Sequence, residues 1–303
     1  LKTMKVFLTG GTGFVGSEVL RQLVAAGHVV RALVRKGSEE KLAVLENVEV
    51  YPGDVTEAAS LADALAGCDA VIHLVGIIRE FPNRGVTFKR MHVEGTENML
   101  KAAAEQGVQR YLHMSSNGVR EGGSTAYHRT KWQSEKLVRD SNLDWTIFRP
   151  SLIFGPGSEF VEILVTLIRK LPVVPIIGDG KYRMQPVAVN QVAASFVKAL
   201  GMSETIGEIY QLGGGTSYSY DEILDLTGRA LGKEKVCKIH QPIFMIKPMV
   251  KMMQGFDQFP ITEDQLKMLV EGNVCDPGEW AKTFSLKPIS YAEGVGACLQ
   301  NKS

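Results

Sequence analysis

The sequence predicts an α/β fold, in which a doubly wound parallel sheet is followed by a smaller, mostly C-terminal domain. Three observations predict this fold. Apolar strand-like runs alternate with amphipathic helix-like runs in the first half, a glycine-rich turn joins the first strand to the first helix, and the alternation ends near Pro150. Such alternation implies parallel strands, right-handed crossovers and helices on both faces of the sheet.

The first half of the chain divides into six strands and four helices. The strands are short runs rich in β-branched and other apolar residues, whereas apolar residues in the helices recur with the helical period. The predicted strands are 5–9, 29–34, 48–51, 70–75, 109–114 and 144–149, and the predicted helices are 14–26, 60–65, 93–106 and 126–140. We therefore assign residues 1–150 to one sheet-forming domain.

Turn residues divide the second half into shorter elements. Gly-Pro-Gly at 155–157, a bend at 171–175 and three glycines at 213–215 interrupt it, and short amphipathic helix patterns follow at 220–231 and 262–271. We assign residues 151–303 mainly to a smaller substrate domain. We also expect the chain to return to the sheet near 182–200.

Composition describes an ordinary globular protein with balanced charge. The 303 residues are 45% apolar, which fills the cores of a large and a small domain. There are 34 Lys and Arg against 33 Asp and Glu, and no basic stripe stands out. We therefore expect a small-molecule substrate and no nucleic-acid partner, and the oligomeric state is left open.

Cysteine and histidine spacing predicts neither a disulfide framework nor a metal site. The four cysteines are scattered, and a chain of this length needs no disulfides. The histidines fall on different predicted elements, so we expect no histidine cluster and no metal. The residues concerned are Cys68, Cys237, Cys275 and Cys298, and His28, His73, His113, His128 and His240.

The glycine-rich turn at 10–16 predicts a dinucleotide site. It lies between a strand and a helix, where glycines let the backbone approach a pyrophosphate at the positive end of the helix. The residues expected to contact the cofactor are Gly10, Thr12, Gly13, Phe14, Val15 and Gly16, and at the end of the fourth strand Val75 and Gly76. Residues 1–150 are therefore predicted to form a Rossmann-type cofactor domain.

The end of the second strand favours NADP(H). In NAD-binding versions of the fold an acidic residue here accepts hydrogen bonds from the ribose 2′-hydroxyl. This chain has Arg35, whose guanidinium can hold a 2′-phosphate with charge-assisted hydrogen bonds. Arg31 lies inside the strand, and we expect it to be structural.

Tyr127 and Lys131 carry the chemical hypothesis. Four residues apart on a helix, they project from the same face. A phenol with a pKa of about 10 is a poor base at neutral pH, and a nearby ammonium favours the phenolate. We therefore expect Lys131 to lower the pKa of Tyr127, and also to bind the nicotinamide ribose.

These motifs together resemble the extended and atypical short-chain dehydrogenase/reductases over nearly the whole chain. The resemblance rests on the turn at 9–16, Gly53-Asp54-Val55, Tyr127 with Lys131, and Arg149-Pro150 with the turn at 155–157. Within that superfamily one branch is most similar, the nucleotide-binding accessory subunit of respiratory complex I and its bacterial relatives. The motifs concerned are 92–96, Ser115-Ser116 near Tyr127, 185–187 and 260–266.

The resemblance implies further roles. Asp54 and Val55 match the pair beside the adenine ring, and Ser116 matches the serine that orients the substrate oxygen, with Ser115 as its competitor. In a reduction, Ser116 would hold a carbonyl, NADPH would deliver hydride and Tyr127 would supply the proton.

Two departures argue against a sugar-nucleotide epimerase. The loop at 118–124 between Ser116 and Tyr127 is short, which leaves little surface for a large substrate. The segment after Gly178-Asp179-Gly180 leads to 184–189 without the arginine and aromatic residues that such enzymes commonly carry there, so it offers little fixed positive charge for a nucleotide diphosphate. His92 also replaces the asparagine often found at the matching helix of the family, and we interpret it as a hydrogen-bonded structural histidine.

A methionine-rich stretch at 244–253 is the least explained part of the chain. Met245, Met249 and Met252 recur at helical spacing, and Pro248 predicts a bend or a helix start. We expect core packing. Two alternatives stay open, namely an adaptable pocket for an isoprenoid or quinone, and a surface that rests on a membrane.

The function expected from the sequence is an NADP(H)-binding, reductase-like enzyme for a hydrophobic carbonyl or quinone-like substrate. Two alternatives stay open: a nucleotide-sugar epimerase or dehydratase, and a non-catalytic, NADPH-stabilised assembly or redox-sensing subunit associated with respiratory complex I. No apolar run reaches the roughly 18 to 20 residues of a membrane span, and no secretory signal is visible. We expect a cytoplasmic protein, with a peripheral position on the cytoplasmic face of the inner membrane left open.

Overall fold

The computed structural model describes residues 2–254 and 261–299, and the chain forms two compact units. The first unit comprises Leu1–Arg149 and Asn190–Tyr210, and the second comprises Pro150–Val189 and Gln211–Ser303. The first unit is discontinuous in sequence because a segment from the second half returns to it. Pro260, which begins the motif at 260–266, lies outside the described residues.

A seven-stranded sheet forms the centre of the fold, and the predicted fold class is confirmed. Its strands are β1 (Lys5–Thr9), β2 (Val29–Val34), β3 (Val48–Pro52), β4 (Ala70–His73), β5 (Arg110–Met114), β6 (Asp144–Pro150) and, after β7 to β10 of the second unit, β11 (Glu208–Leu212). Their order is β11-β6-β5-β4-β1-β2-β3, and the pairs from β3 across to β6 are parallel. This is a Rossmann-type sheet.

Helices of the first unit lie on both faces of this sheet. The described residues form α1 (Phe14–Ala25), α2 (Gly95–Glu105), α3 (Ala126–Arg139), α4 (Glu159–Lys170), α5 (Val189–Ala199), α6 (Tyr220–Ala230), α7 (Ile243–Met253), α8 (Glu263–Glu271), α9 (Gly278–Thr283) and α10 (Tyr291–Gly294). On one face Phe7, Val71 and Tyr111 form a core with residues of α2 and α3. On the other face Phe148 packs on Phe196 of α5, with ring centroids 4.5 Å apart.

The predicted elements of the first half differ from the structure in two helices. The segment predicted as helix 60–65 is a short 3-10 turn at Ala58–Leu61. The helix predicted at 93–106 is preceded by a π-helical turn at Lys89–Glu94 that runs into α2. Apolar periodicity shows which face of a segment is buried, but it does not distinguish an α-helix from a tighter 3-10 helix or a wider π-helix.

The segment that returns to the first unit adds a strand that the sequence pattern does not reveal. It contains most of α5 and the start of β11, which lies at the sheet edge beside β6. Arg110 fixes it, because its guanidinium donates to the Ala199 carbonyl at 2.6 Å and to the Thr205 hydroxyl at 2.7 Å. Burial lowers the pKa of Arg110 to about 10.

The described residues of the second unit form a separate core and three two-stranded sheets. They pair β7 (Ile153–Phe154) with β10 (Val187–Ala188), β9 (Arg183–Met184) with β12 (Tyr218–Ser219), and β8 (Val174–Ile177) with β13 (Lys238–Gln241). Phe154 and Tyr291 pack edge to face in its core, with centroids 5.1 Å apart. Capping boxes at Ser219 and Thr262 start α6 and α8.

The methionine-rich stretch is not core, so the expectation of core packing is wrong. It forms α7, with Pro248 inside the helix rather than at its start. Only Ile246 and Val250 of this helix are buried, whereas Met245 and Met252 are 65% and 74% exposed. The two buried residues are enough to pack this short helix, and the methionines that recur at helical spacing lie on its exposed face.

Within residues 2–254 and 261–299, no helix combines the length and apolar character that crossing a bilayer requires.

Candidate active site

The glycine turn between β1 and α1 has the shape of a phosphate cradle. Gly10 adopts a positive φ of 78°, and the Gly13 N–H donates to its carbonyl at 3.0 Å. Gly13 precedes α1 without a side-chain cap, so the first N–H groups of the helix have no side-chain acceptor from that position. A Cβ at Gly16 would lie 2.0 Å from the Gly10 oxygen, so only glycine fits there.

The other predicted residues of the turn divide into an accessible edge and a buried support. Thr12 and Phe14 are half-buried and Gly13 is exposed, whereas Val15 and Gly16 are buried at the start of α1. The accessible residues and the uncapped helix end fit the pyrophosphate of a dinucleotide.

The two arginines of the second strand have different surroundings. Arg31 donates to the carbonyls of Ala64 and Ala66 and pairs with Glu49 at 2.9 Å, which agrees with a structural role. Arg35 follows the end of β2 and is exposed, and it forms no ion pair within the described part of the chain. Its guanidinium is therefore available to a ligand.

Asp54 and Val55 follow β3 and have partners within the protein. The Asp54 carboxylate accepts from the N–H and hydroxyl of Thr56, at 2.8 and 2.9 Å. Val55 is buried, and its carbonyl accepts from Asn98 at 2.9 Å. Both residues thus shape the turn, and contact with an adenine ring remains a prediction.

Helix α3 holds Tyr127 and Lys131 beneath the end of β5. The Thr125 hydroxyl caps the helix by accepting from the His128 N–H at 3.1 Å, so Tyr127 lies in the first turn. Lys131 is 3% exposed, and its ammonium donates to the Met114 carbonyl at 2.9 Å. Burial lowers the pKa of Lys131 to about 8, although the negative charge of Glu135 opposes this.

Ser116, rather than Ser115, reaches the tyrosine. The Ser116 side chain is half-buried, its hydroxyl donates to the Asn117 carbonyl at 3.3 Å, and it lies close enough to the phenol of Tyr127 to lower the pKa of that group. The Ser115 hydroxyl is buried, and no hydrogen-bond partner for it exists among the described residues. The structure therefore brings Ser116, Tyr127 and Lys131 together and leaves Ser115 aside.

The expected lowering of the Tyr127 pKa is wrong. Burial raises the pKa of Tyr127, and the nearby Ser116 hydroxyl offsets only part of this effect. Tyr127 is 9% exposed, and the Lys131 ammonium is directed to a backbone carbonyl. Removal of the phenol from water therefore outweighs the attraction of the lysine charge, and the phenol stays protonated at neutral pH.

Gly76 leaves room beside the lysine. A Cβ at this position would lie 3.2 Å from the Lys131 Nζ and 3.7 Å from the His92 Nε2. Gly76 itself is exposed, and its neighbour Val75 packs partly against the core. A larger side chain at 76 would crowd the Lys131 ammonium and the His92 ring.

His92 is a hydrogen-bonded histidine, as interpreted from the sequence. It is 1% exposed, and its Nδ1 lies 2.9 Å from the Thr130 hydroxyl. Its Nε2 lies 3.1 Å from both the N–H and the carbonyl oxygen of Ile77. Burial and the charge of Lys131 hold the pKa of His92 well below its usual value.

The model of the NAD-dependent epimerase/dehydratase family matches residues 6–213, a stretch that contains the glycine turn, Ser116, Tyr127 and Lys131. The chain belongs to this family. The family resemblance seen in the sequence, that of the extended short-chain dehydrogenase/reductases, is thereby confirmed.

Relatives of this epimerase/dehydratase family member have diverse names. The NADH-ubiquinone oxidoreductase 40 kDa subunit, mitochondrial, of Neurospora crassa is 25% identical over 289 residues, which cover 94% of this chain and 75% of that protein. The 3 beta-hydroxysteroid dehydrogenase/Delta 5→4-isomerase of Mycobacterium tuberculosis is 34% identical over 222 residues, 64% of this chain and 60% of its own. The structure of the UDP-glucose 4-epimerase of Thermus thermophilus with NAD shares the fold, with a TM-score of 0.76 over 98% of both chains at 20% identity.

Two histidines of this family member lie together, so the expectation that the histidines form no cluster is wrong. His73 on β4 pairs in register with His113 on β5, and their rings stack with centroids 5.5 Å apart. The His73 ring also lies 2.7 Å from the Thr9 hydroxyl. Sequence spacing hides this pair because only the strand order makes β4 and β5 neighbours. Among the described residues, no group of three His, Cys, Asp or Glu could hold a metal ion.

Sequence reasoning missed the aromatic surroundings of Tyr127. The Phe88 ring stacks on His92 at 5.4 Å and meets Tyr127 edge-on at 5.8 Å. Thr130, inside the Tyr-x-x-x-Lys motif, joins α3 to His92. Because Thr130 lies inside the Tyr-x-x-x-Lys motif, the sequence could have pointed to it. Nothing in the sequence around Phe88 marks Phe88 as a neighbour of Tyr127.

Proposed function

We propose that this epimerase/dehydratase family member is an NADP(H)-dependent reductase of a hydrophobic carbonyl or quinone-like substrate in the cytoplasm. The observation that carries the proposal is the position of Ser116 beside a buried Tyr127 whose pKa is raised. A protonated phenol is the form that a reduction needs, because the substrate oxygen must gain a proton.

The residues present fit a dinucleotide. The turn at Gly10, Gly13 and Gly16 would hold the pyrophosphate, Arg35 a 2′-phosphate, and Lys131 the ribose next to the nicotinamide. Bound there, NADPH would supply hydride to the carbonyl carbon of the substrate. Lys131 has three N–H donors, and only one is used on the Met114 carbonyl.

Two hydroxyl groups would complete the reduction. The Ser116 hydroxyl can donate a hydrogen bond to the substrate carbonyl oxygen, which orients it toward the Tyr127 phenol. The phenol then gives its proton to that oxygen as the new carbon–hydrogen bond forms, and it recovers a proton from water. Reversal of these steps would oxidise an alcohol, with the Tyr127 phenolate as the base.

The surroundings of Tyr127 support a hydrophobic substrate. Phe88 and His92 present ring faces and edges around the phenol, and the low pKa of His92 keeps that ring neutral. A nucleotide sugar requires fixed positive charge for its phosphates, whereas neutral rings suit an apolar carbonyl compound. The mycobacterial relative, whose name describes a steroid dehydrogenase, is consistent with such a substrate.

The test is NADPH consumption by the purified protein with a panel of quinones, hydrophobic ketones and nucleotide sugars. We expect oxidation with at least one quinone or ketone. Saturable binding of a nucleotide sugar without net NADPH oxidation would instead favour an epimerase. Tight NADPH binding with no consumption across the panel would contradict the reductase proposal.

A non-catalytic role has one specific observation in its favour. The similarity to the Neurospora crassa respiratory subunit extends over 94% of this chain. In that role NADPH would raise the stability of the protein by linkage without being consumed. Copurification with a respiratory complex, together with the absence of turnover, would support this alternative.

Arg35→Asp is expected to reverse the cofactor preference. We expect the unmodified protein to bind NADPH at least about tenfold more tightly than NADH, because the guanidinium is exposed and without an ion-pair partner among the described residues. The carboxylate would repel the 2′-phosphate and accept from a 2′-hydroxyl. Fluorescence titration of both nucleotides measures this, with Lys101→Asp as a control that makes the same charge change elsewhere. Equal affinities in the unmodified protein would contradict the role of Arg35.

Gly16→Ala is expected to weaken NADPH binding at least about tenfold, because the new Cβ would overlap the Gly10 carbonyl and displace the turn from the helix end. Gly296→Ala is the matched control, since a Cβ at that glycine has no atom within 4 Å. Titration and thermal unfolding of both variants separate loss of affinity from loss of fold. Normal affinity in Gly16→Ala would show that the turn does not hold the cofactor.

A further inference from the structure

Helix α7 presents an apolar surface to solvent. Phe244, Met245, Met249 and Met252 are 77%, 65%, 46% and 74% exposed, and Phe244 and Met252 are the two most exposed large hydrophobic residues in the described chain. Single exposed apolar residues are ordinary on protein surfaces, but four on one short helix are not. We call these four side chains and Pro248 the apolar arc.

The arc occupies a continuous sector of the helix. Phe244, Pro248 and Met252 are spaced four residues apart and form one row, and Met245 and Met249 form the adjacent row. The opposite side is the buried row of Ile246 and Val250, which packs on Leu266 of α8. The helix thus has one face for its own unit and a separate apolar face for another surface.

Positive charge borders the arc on one side. Lys247 and Lys251 form the row next to Phe244, and α7 contains no acidic residue. Lys247 lies 3.8 Å from Glu263, whereas Lys251 has no ion-pair partner among the described residues. An apolar face with lysines along its edge matches a layer of hydrocarbon beneath anionic headgroups.

The arc is separate from the pocket of the second unit. That pocket has a volume of about 760 Å3, and Tyr182, His240, Pro242 and Ile243 are among the residues that line it. None of the methionines of α7 is among its lining residues in the described chain. The arc is therefore a surface apart from this pocket.

The size of the arc favours lipid over a second protein. Four side chains of this kind offer on the order of 500 Å2, below the roughly 800 Å2 that each partner of a stable interface contributes. Lysines are also depleted at protein interfaces. Insertion into the boundary between headgroups and acyl chains needs no shaped partner, and the soft methionine side chains adapt to it.

We propose that α7 docks the protein on an anionic phospholipid bilayer, with the apolar arc inserted among the acyl chains and Lys247 and Lys251 at the headgroups. This inference goes beyond the proposed function, since it concerns a surface that can bind lipid whether or not the protein turns over NADPH. The sequence analysis left open a peripheral position on a membrane, and this proposal identifies the face of the protein that would contact the membrane.

The test is sedimentation of the full chain with vesicles, either of phosphatidylcholine alone or with a minor fraction of phosphatidylglycerol. We expect binding that is stronger with phosphatidylglycerol. Phe244→Ser with Met252→Ser should weaken it at least about tenfold. Leu45→Ser is the matched control, because Leu45 is 65% exposed in the first unit. Lys251→Gln should weaken only the phosphatidylglycerol component, about fivefold, whereas Lys101→Gln should not.

Three outcomes would overturn the proposal. The unmodified protein could fail to sediment with either vesicle, or the Phe244→Ser, Met252→Ser variant could bind as well as the unmodified protein. A dimer in sedimentation velocity that the same variant disperses would assign the arc to a second copy of the chain. Thermal unfolding of each variant checks its fold. NADPH binding is measured separately in solution, so a failure of the lipid-docking proposal can be told apart from a failure of the proposed reductase function.

Discussion

Tyr127→Phe is expected to lower kcat for NADPH-dependent reduction about a thousandfold while NADPH affinity changes by less than about twofold. The phenol is the buried acid beside Ser116, and a phenyl ring has no proton to give. Cofactor affinity should persist because the glycine turn, Arg35 and Lys131 are unchanged. Stopped-flow or steady-state NADPH oxidation with the best substrate of the panel measures the first effect, and fluorescence titration the second.

Tyr111→Phe is the matched control for this prediction. Tyr111 is fully buried, and its hydroxyl has no hydrogen-bond partner among the described residues. The substitution therefore removes the phenol oxygen of a different buried tyrosine, one that lies on β5, and activity should be retained. Unchanged turnover in Tyr127→Phe would eliminate this phenol as the proton donor. Loss of NADPH affinity in the same variant would indicate that Tyr127 anchors the cofactor instead.

A fall in pH from 7 to 5.5 is expected to lower the free energy of unfolding by about 4 kcal/mol through three buried histidines. Burial lowers the pKa of His73 to about 3 and holds the pKa values of His92 and His113 well below the usual value. Their rings stay neutral in the folded protein at pH 5.5, whereas in the unfolded chain they gain protons below about 6.5. Stability from these residues is thus complete above pH 6.5 and is lost as the pH falls.

Urea unfolding at pH 7 and at pH 5.5 measures this loss of stability, and the His113→Phe variant measures the share of it that His113 contributes. Neither ring nitrogen of His113 has a hydrogen-bond partner among the described residues, so phenylalanine removes the titration without breaking a hydrogen bond. About a third of the pH dependence should disappear in this variant. Equal pH dependence in the unmodified protein and in His113→Phe would show that burial of His113 does not contribute to the acid lability.

Local patterns in the sequence were sufficient for most of the first unit. The run at Lys5–Thr9, the glycine turn and the helix that follows form one strand–turn–helix unit whose signals lie within about two dozen residues. The Tyr127 and Lys131 motif likewise needs only the period of one helix. The observed bounds of β1 and β2 coincide with those predicted, because alternation and turn residues fix both ends of each strand.

Properties that depend on distant neighbours were not predictable. The pairing of His73 with His113 follows from strand order, which no spacing along the chain encodes. The pKa of Tyr127 was predicted with the wrong sign, since burial by Phe88 and the rest of the fold outweighs a lysine one turn away. Exposure of the methionines on α7 was missed because periodicity marks a helix face without saying what covers it.

The edge strand β11 also constrains when the first unit can form during synthesis. Arg110 donates to the Ala199 carbonyl and the Thr205 hydroxyl, and the Thr146 hydroxyl donates to the Thr205 carbonyl at 2.6 Å. Until these residues leave the ribosome, β6 is an unpaired sheet edge and the Arg110 guanidinium lacks two acceptors. The first unit is therefore complete only after translation has passed residue 205, and a fragment ending at residue 150 lacks its final strand.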